Sequence, residues 1–283
     1  MTLPVVDEAP RDDVADAVTF SFADVAAGVS GLARAGFTED GSSGLGVLFS
    51  GADPIAARAD TATGADGRAW EAIDAAGVRT AVVETGSAWT VAFDDGEGHG
   101  FALEVTAISP PADLGQGVGG MTGYDHLCRV EGDVRTGSGT VRVSCLGQRG
   151  RLWGSPDWTG LELTRSVGVW LDDDAGIALH AARPAGARGQ DAEVCRASVF
   201  DGEHALAVDD PRLSTVSDVE GHQRRAGLEL WVHEEEHPRR AAGELVGGTS
   251  LDLGRLRLDC AFLRWRMEGR AGAGRYDILR RVG

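Results

Sequence analysis

The chain has 283 residues, 42% hydrophobic and 25% charged, enough for one large β domain or two domains of about 130–150 residues, each with its own core. Its 27 basic residues are all arginine against 44 acidic ones, a net charge of −17, so the surface repels phosphate backbones and no nucleic acid is expected as a partner. The lack of lysine excludes Schiff-base and pyridoxal chemistry, and no apolar run approaches the roughly 18–20 residues of a membrane span.

In chain order, the acidic opening stretch has neither a basic flank nor an apolar run and does not read as a secretory leader. A cytoplasmic protein is the expectation, with Cys128, Cys145, Cys195 and Cys260 as reduced, buried thiols. None of the four forms a C-x-x-C pair, so zinc-ribbon and thioredoxin readings fail. Val18, Phe20 and Phe22 share one face of a predicted strand. Arg68 to Ala76 carries the one stretch of helical periodicity. Trp89, Val91 and Phe93 alternate, as do Phe101, Leu103 and Val105, and the turn-rich Asp94–Gly98 between them predicts a hairpin.

Gly115-Gln-Gly117-Val-Gly119-Gly120 fits the G-x-G-x-x-G pattern. Pro110 and Pro111 precede it and no helical pattern follows, so it reads as a loop and not a dinucleotide fingerprint. Val130 and Val134, then Val141, Val143 and Cys145, predict a second hairpin across Thr136–Gly139. A boundary is expected near 147–160, giving domains 1–150 and 151–283. Val167–Trp170 and Ile177–His180 open the second meander, and Val169-Trp-Leu-Asp172 loosely echoes Phe20-Ser-Phe-Ala-Asp24.

His233-Glu-Glu-Glu-His237 fits H-E-x-x-H, but Leu228–Val232 alternates like a strand and Pro238 follows directly. The zincin helix is therefore not expected, and neither is a metal. Leu256, Leu258, Cys260 and Phe262 form a half-buried strand. Many short strands with glycine-rich turns predict a mostly-β chain of sandwich or barrel type.

Gly147-Gln-Arg-Gly-Arg-Leu-Trp-Gly-Ser-Pro-Asp-Trp158 reads as a structured loop or sharp crossover in which Arg149, Arg151 and Asp157 are candidates to pair. This stretch resembles the G-x-R-D-H-S-W-G-x-R-D-W signature of AttH-like proteins. They are relatives of carotenoid 1,2-hydratase (hydroxyneurosporene synthase) and of lipocalin-type Diels–Alderases. Gly123–His126 and Arg129–Val134 resemble the approach to that signature, and Met267–Ile278 its C-terminal strand.

The resemblance implies two lipocalin-like antiparallel β-barrel domains, a pocket for an apolar small molecule, and chemistry without a redox cofactor. It further implies proton transfer to an alkene, or folding of a polyene into a reactive conformer. Where the signature has Asp-His-Ser, this chain has Gly150-Arg151-Leu152. Arginine cannot serve as a general acid near neutral pH, although it can clamp an anion.

The catalytic candidates are Asp157, His126 and Tyr124 as proton donors or acceptors and Arg151 as anion clamp, and the substitutes for the missing histidine are Tyr124, Asp125, His126, Asp157 or His180. Trp153, Trp158, Trp170, His180 and Trp89 are the candidate ligand-binding set. The expected activity is a cofactor-independent cyclase, isomerase or hydratase on a terpenoid- or polyketide-like molecule. The competing reading is a non-catalytic carrier of a hydrophobic ligand.

Overall fold

Two-residue alternation organises nearly the whole chain. In the computed structural model, residues 8–38, 41–62, 68–115, 118–187 and 192–282 are described. They divide into two units. The first comprises Met1–Pro110 with His126–Gly154, the second Pro111–Asp125 with Ser155–Gly283.

The first unit is a curled antiparallel sheet. Its strands are β1 (Ala15–Asp24), β2 (Val29–Thr38), β3 (Gly41–Ser50), β4 (Asp53–Ala62), β5 (Val78–Glu84), β6 (Ala88–Asp94), β7 (His99–Ala107), most of β9 (Met121–Thr136), and β10 (Thr140–Gly154). Along the sheet they run β4-β3-β2-β1-β10-β9-β7-β6-β5. Val18, Phe20 and Phe22 pack with Trp89, Val91 and Phe93 and with Phe101, Leu103 and Val105 in one core on the concave face. Both predicted hairpins form.

The expected helix at 68–76 is reduced to a three-residue 3-10 turn, Trp70–Ala72. Ala76 stands at φ 54, outside helical geometry. Trp70 is instead buried against Phe37, with its indole N–H donated to the Glu8 carbonyl at 2.6 Å.

The second unit is a closed barrel of eight strands in sequence order. They are β11 (Leu161–Asp172), β12 (Ala175–Pro184), β13 (Val194–Asp201), β14 (His204–Ser217), β15 (Gln223–Val232), β16 (Arg239–Leu253), β17 (Leu256–Met267) and β18 (Arg270–Arg281). Closure comes from β11 pairing with β18, which leaves no unpaired edge. Val167, Val169, Ile177, Leu179, Leu263, Trp265, Tyr276 and Ile278 point inward and fill the barrel. The alternate residues of β11, β12 and β18 therefore lie on its outer face.

The expectation of a mostly-β chain with two barrel-like domains holds. The cut between them falls after Gly154, because β10 stays paired with β1 along the register from Phe22↔Gly147 to Ala15↔Gly154. Gly147–Gly154 is thus strand, not loop, and only the residues after it form the crossover.

The segment 111–125 is an excursion that belongs to the barrel unit. Its short strand β8 (Ala112–Asp113) pairs with Asp125 and Tyr124 at the start of β9. Val118 packs on Leu161, Ala182 and Trp158, and the Ser155 amide donates to the Gly120 carbonyl. Among the described residues no helix is long and apolar enough to cross a membrane.

Candidate functional site on the barrel wall

The outer face of β12, β11 and β18 carries a row of polar residues that a strand of a soluble barrel would ordinarily turn to water. Ser166 on β11 sits opposite His180 on one side and Asp277 on the other. The excursion brings Asp125 to the same place. The Ser166 hydroxyl donates to His180 Nδ1 at 3.1 Å, and His180 Nε2 donates to Asp125 Oδ2 at 2.9 Å. One tautomer of the imidazole satisfies both bonds.

Exposure rises along this chain, from 1% at Asp125 and 7% at His180 to a half-buried Ser166. The carboxylate is therefore the buried anchor and the hydroxyl the accessible end. The arrangement lets the imidazole accept a proton from the hydroxyl while the carboxylate stabilises the imidazolium that forms.

Around this chain the wall is floored by small residues. Gly168 and Ala178 stand one outward position along from Ser166 and His180, and Trp170 two positions along. Arg275, opposite Gly168, pairs with Asp277 at 3.2 Å, and both are buried. The Arg275 Nε and the Trp170 indole N–H are buried and have no hydrogen-bond partner among the described residues. The Cys260 thiol beside Asp277 is pushed well up, by burial first and by that carboxylate second, and so stays protonated.

The remaining sequence candidates lie elsewhere. Tyr124 is buried next to Asp125 and opposite Asp113. Trp158 packs on the Val118–Leu161–Ala182 cluster. Asp157 is exposed and organises the turn that follows, accepting from the Thr159 hydroxyl at 2.6 Å and its amide at 2.9 Å. Those bonds, the hydroxyl first, hold its carboxyl below the usual range.

Four other candidates belong to the first unit. Arg151 is bound by Asp16 through two hydrogen bonds, at 2.7 and 3.1 Å, and lies 5.4 Å from the rings of both Trp70 and Trp153. Arg149 pairs with Glu8 at 2.7 Å and stacks 4.5 Å over Trp89, which also contacts His126 at 5.7 Å. The His126 Nδ1 donates to the Ser109 carbonyl at 3.2 Å. The arginines therefore take partners from residues 8–16 rather than the expected Asp157. Fold closure brings Glu8 and Asp16 across from β10, whereas Asp157 is committed to its own turn.

At His233–His237 the strand ends at Val232 and a turn follows. His233 is exposed and contacts Asp209, and no group of three metal-ligating side chains forms among the described residues. Two of the glycine-pattern residues, 116 and 117, lie outside the described residues.

The model of a family described as a domain of unknown function (DUF7064) matches residues 7–281. The chain belongs to this family. No curated protein matches it. Solved structures show how the DUF7064 chain is folded. An AttH-like protein of Nitrosomonas europaea is 12% identical, covers 98% of this chain and 96% of its own, and superposes with a TM-score of 0.73. CghA bound to Sch210972 is 11% identical over 94% of this chain and 88% of its own, at 0.65. Kievitone hydratase of Nectria haematococca is 8% identical over 98% and 94%, at 0.66. At these identities the likeness is one of fold, and it agrees with the two barrel-like domains that the resemblance implied.

Ser166, Arg275 and Asp277 were not legible as site residues. A serine or an arginine alternating with valine on a strand looks the same whether that face meets water or is buried. His180 and Asp125 were named, but nothing in their spacing linked them.

Proposed function

We propose that this DUF7064 chain is an enzyme that acts on an apolar, terpenoid- or polyketide-like small molecule by moving a proton, as a cyclase, isomerase or hydratase without a redox cofactor. The observation that carries this reading is the Ser166–His180–Asp125 hydrogen-bonded chain, built on a rigid barrel wall and graded from buried carboxylate to accessible hydroxyl. His180 is the proton-transfer group and Asp125 orients it. Trp170 and Tyr124 are shaping residues. The names of two fold neighbours, one a hydratase and one a complex with a small molecule, are in keeping with this class of chemistry.

Native mass spectrometry of the gently purified chain identifies any molecule that travels with it, and that molecule is then incubated with wild type, His180→Gln and Asp125→Asn. Loss of the proton-transfer group is expected to slow conversion by about 10²–10⁴-fold while ligand affinity changes little. Asp125→Asn is expected to fall between the two, and Asp157→Ala to convert at the wild-type rate.

The competing reading is a non-catalytic carrier. It is favoured by Arg151, which stands where the signature has a histidine and is committed to Asp16. Reversible binding, unchanged chemistry of the ligand and indifference to His180→Gln would establish the carrier.

A further inference from the structure

Two buried hydrogen-bond donors on this wall have no acceptor among the described residues, the Arg275 Nε and the Trp170 Nε1. Buried polar groups are nearly always paired, and one left open in a native fold calls for a water, an ion or a ligand as its partner. Both residues are nearly fully buried, at 5% and 2% exposure, so solvent at an open surface does not supply the acceptor.

They also share a place. Ser166, Gly168 and Trp170 follow one another along the outer face of β11, and Arg275 stands opposite Gly168 on β18. Gly168 has no side chain, so nothing from that position fills the space between Ser166 and Trp170. Both donors thus lie on the same outer face as Ser166, Arg275 diagonally across from it on β18 and Trp170 two outward positions along β11.

Both are donors only, and one is cationic, so the complementary group is an oxygen that carries or develops negative charge. A hydrocarbon offers no such atom. Asp277, paired to Arg275 at 3.2 Å, balances the guanidinium, which disfavours a full carboxylate and favours a neutral carbonyl whose oxygen gains charge during reaction.

We infer that Arg275, assisted by Trp170, holds the carbonyl oxygen of an enolisable substrate, and that the proton moved by His180 comes from the carbon next to that carbonyl. This rests on the proposed proton-transfer reading and narrows its substrate class. In the step, the α-carbon–hydrogen bond breaks and the proton passes to the Ser166 oxygen as the hydroxyl hands its own to His180 Nδ1. The electron pair moves onto the carbonyl oxygen facing Arg275 as an enolate. Reversal at the same or a conjugated carbon returns the proton, and nothing is oxidised or reduced.

The test compares a long-chain β-diketone with the alkane of equal length, binding being read by tryptophan fluorescence. Exchange of the diketone α-hydrogen for deuterium is read by NMR as the rate in excess of that without protein. Wild type is expected to bind the diketone at least about ten-fold more tightly than the alkane, the size of one charge-assisted hydrogen bond. Arg275→Met should erase that preference, and Trp170→Phe, which keeps most of the ring and loses the donor, should reduce it.

Should Arg275→Met not fold, as judged by its thermal melt, Arg275→Lys carries the test. It retains the charge opposite Asp277, lacks the Nε donor, and should bind the diketone more weakly than wild type. His180→Gln should keep the preference and lose the exchange.

Equal binding of diketone and alkane by wild type, or an undiminished preference in folded Arg275 variants, overturns the inference. Either result leaves the proposed function standing if conversion of the natural ligand still requires His180. If the preference depends on Arg275 but exchange survives in His180→Gln, the carbonyl anchor stands and the proton-transfer reading falls.

Discussion

Arg151 illustrates how much a residue's role depends on what the fold places beside it. Its position in the signature suggested an anion clamp, and guanidinium chemistry suits that role. Asp16 takes up that capacity through two hydrogen bonds, with both side chains at 1% exposure or less. A charge removed from water in this way is tolerable only while paired. Replacing Asp16 by Asn keeps the shape and strands the arginine, and is expected to destabilise the first unit by about 3–5 kcal/mol. Urea unfolding followed by tryptophan fluorescence measures this. A shift within the error of the midpoint would mean that Arg151 finds another acceptor. The signature was legible as a concentration of tryptophan and arginine, but the partners of those arginines lie about 140 positions away, at Glu8 and Asp16, and no local pattern points to them.

For the elements, alternation of apolar residues foretold most strands and which face each would bury. It placed Trp89, Val91 and Phe93 correctly in one core. It failed where two periods competed over a short span, as at 68–76. There one indole finding a buried site and a carbonyl outweighed a single turn of helix, which is unstable alone. The closed barrel also depends on positions where a side chain is missing. At Gly274 an added Cβ would press on the Gly168 carbonyl and sit 2.7 Å from the Trp265 ring, which fills the barrel interior. Gly274→Ala is therefore expected to cost about 1–3 kcal/mol through overpacking and strand displacement. Gly248→Ala is the control, since the nearest atom to its added carbon is an ordinary 3.4 Å away. Comparing the two melting temperatures tests the point, and equal melting temperatures would refute it.

Over the whole molecule, two sets of ionisable groups with displaced titrations have opposite consequences. Asp94, Asp157 and Asp218 titrate below the ordinary range, chiefly through hydrogen bonds from Gly96, Thr159 and His222 respectively. The stability they contribute is present above the unfolded carboxylate value and is lost as pH falls through their folded values. Asp157 is exposed and Asp94 and Asp218 are partly so, and solvent screening keeps the acid effect small. The thiols act at the other end. Burial first, and neighbouring carboxylates second, push Cys145 and Cys195 up to about 12, and Cys260 rises as well. Tyr276, inside the barrel, is raised mainly by burial. These groups favour the fold below the ordinary thiol value, and their contribution drains away as pH rises toward about 12. The urea midpoint should be level near neutrality and fall steeply on the alkaline side. Native thiols should resist alkylation at mildly alkaline pH and react once unfolded. Rapid labelling of the folded chain would contradict the burial.

The amino-acid sequence by itself determined the class of fold, the strand faces and the absence of lysine-based chemistry, because alternation, turn residues and composition act locally and add along the chain. The signature resemblance carried the expectation of two barrels. Only the tertiary structure decided which polar residues converge. Asp125, Ser166, His180 and Arg275 are spread over 150 positions and meet because β11 closes on β18 and an excursion before β9 turns back onto the barrel wall. Whether a strand face is wet or buried, and so whether a serine beside a histidine is surface or site, depends on what the rest of the chain lays beside it, and no single strand encodes that.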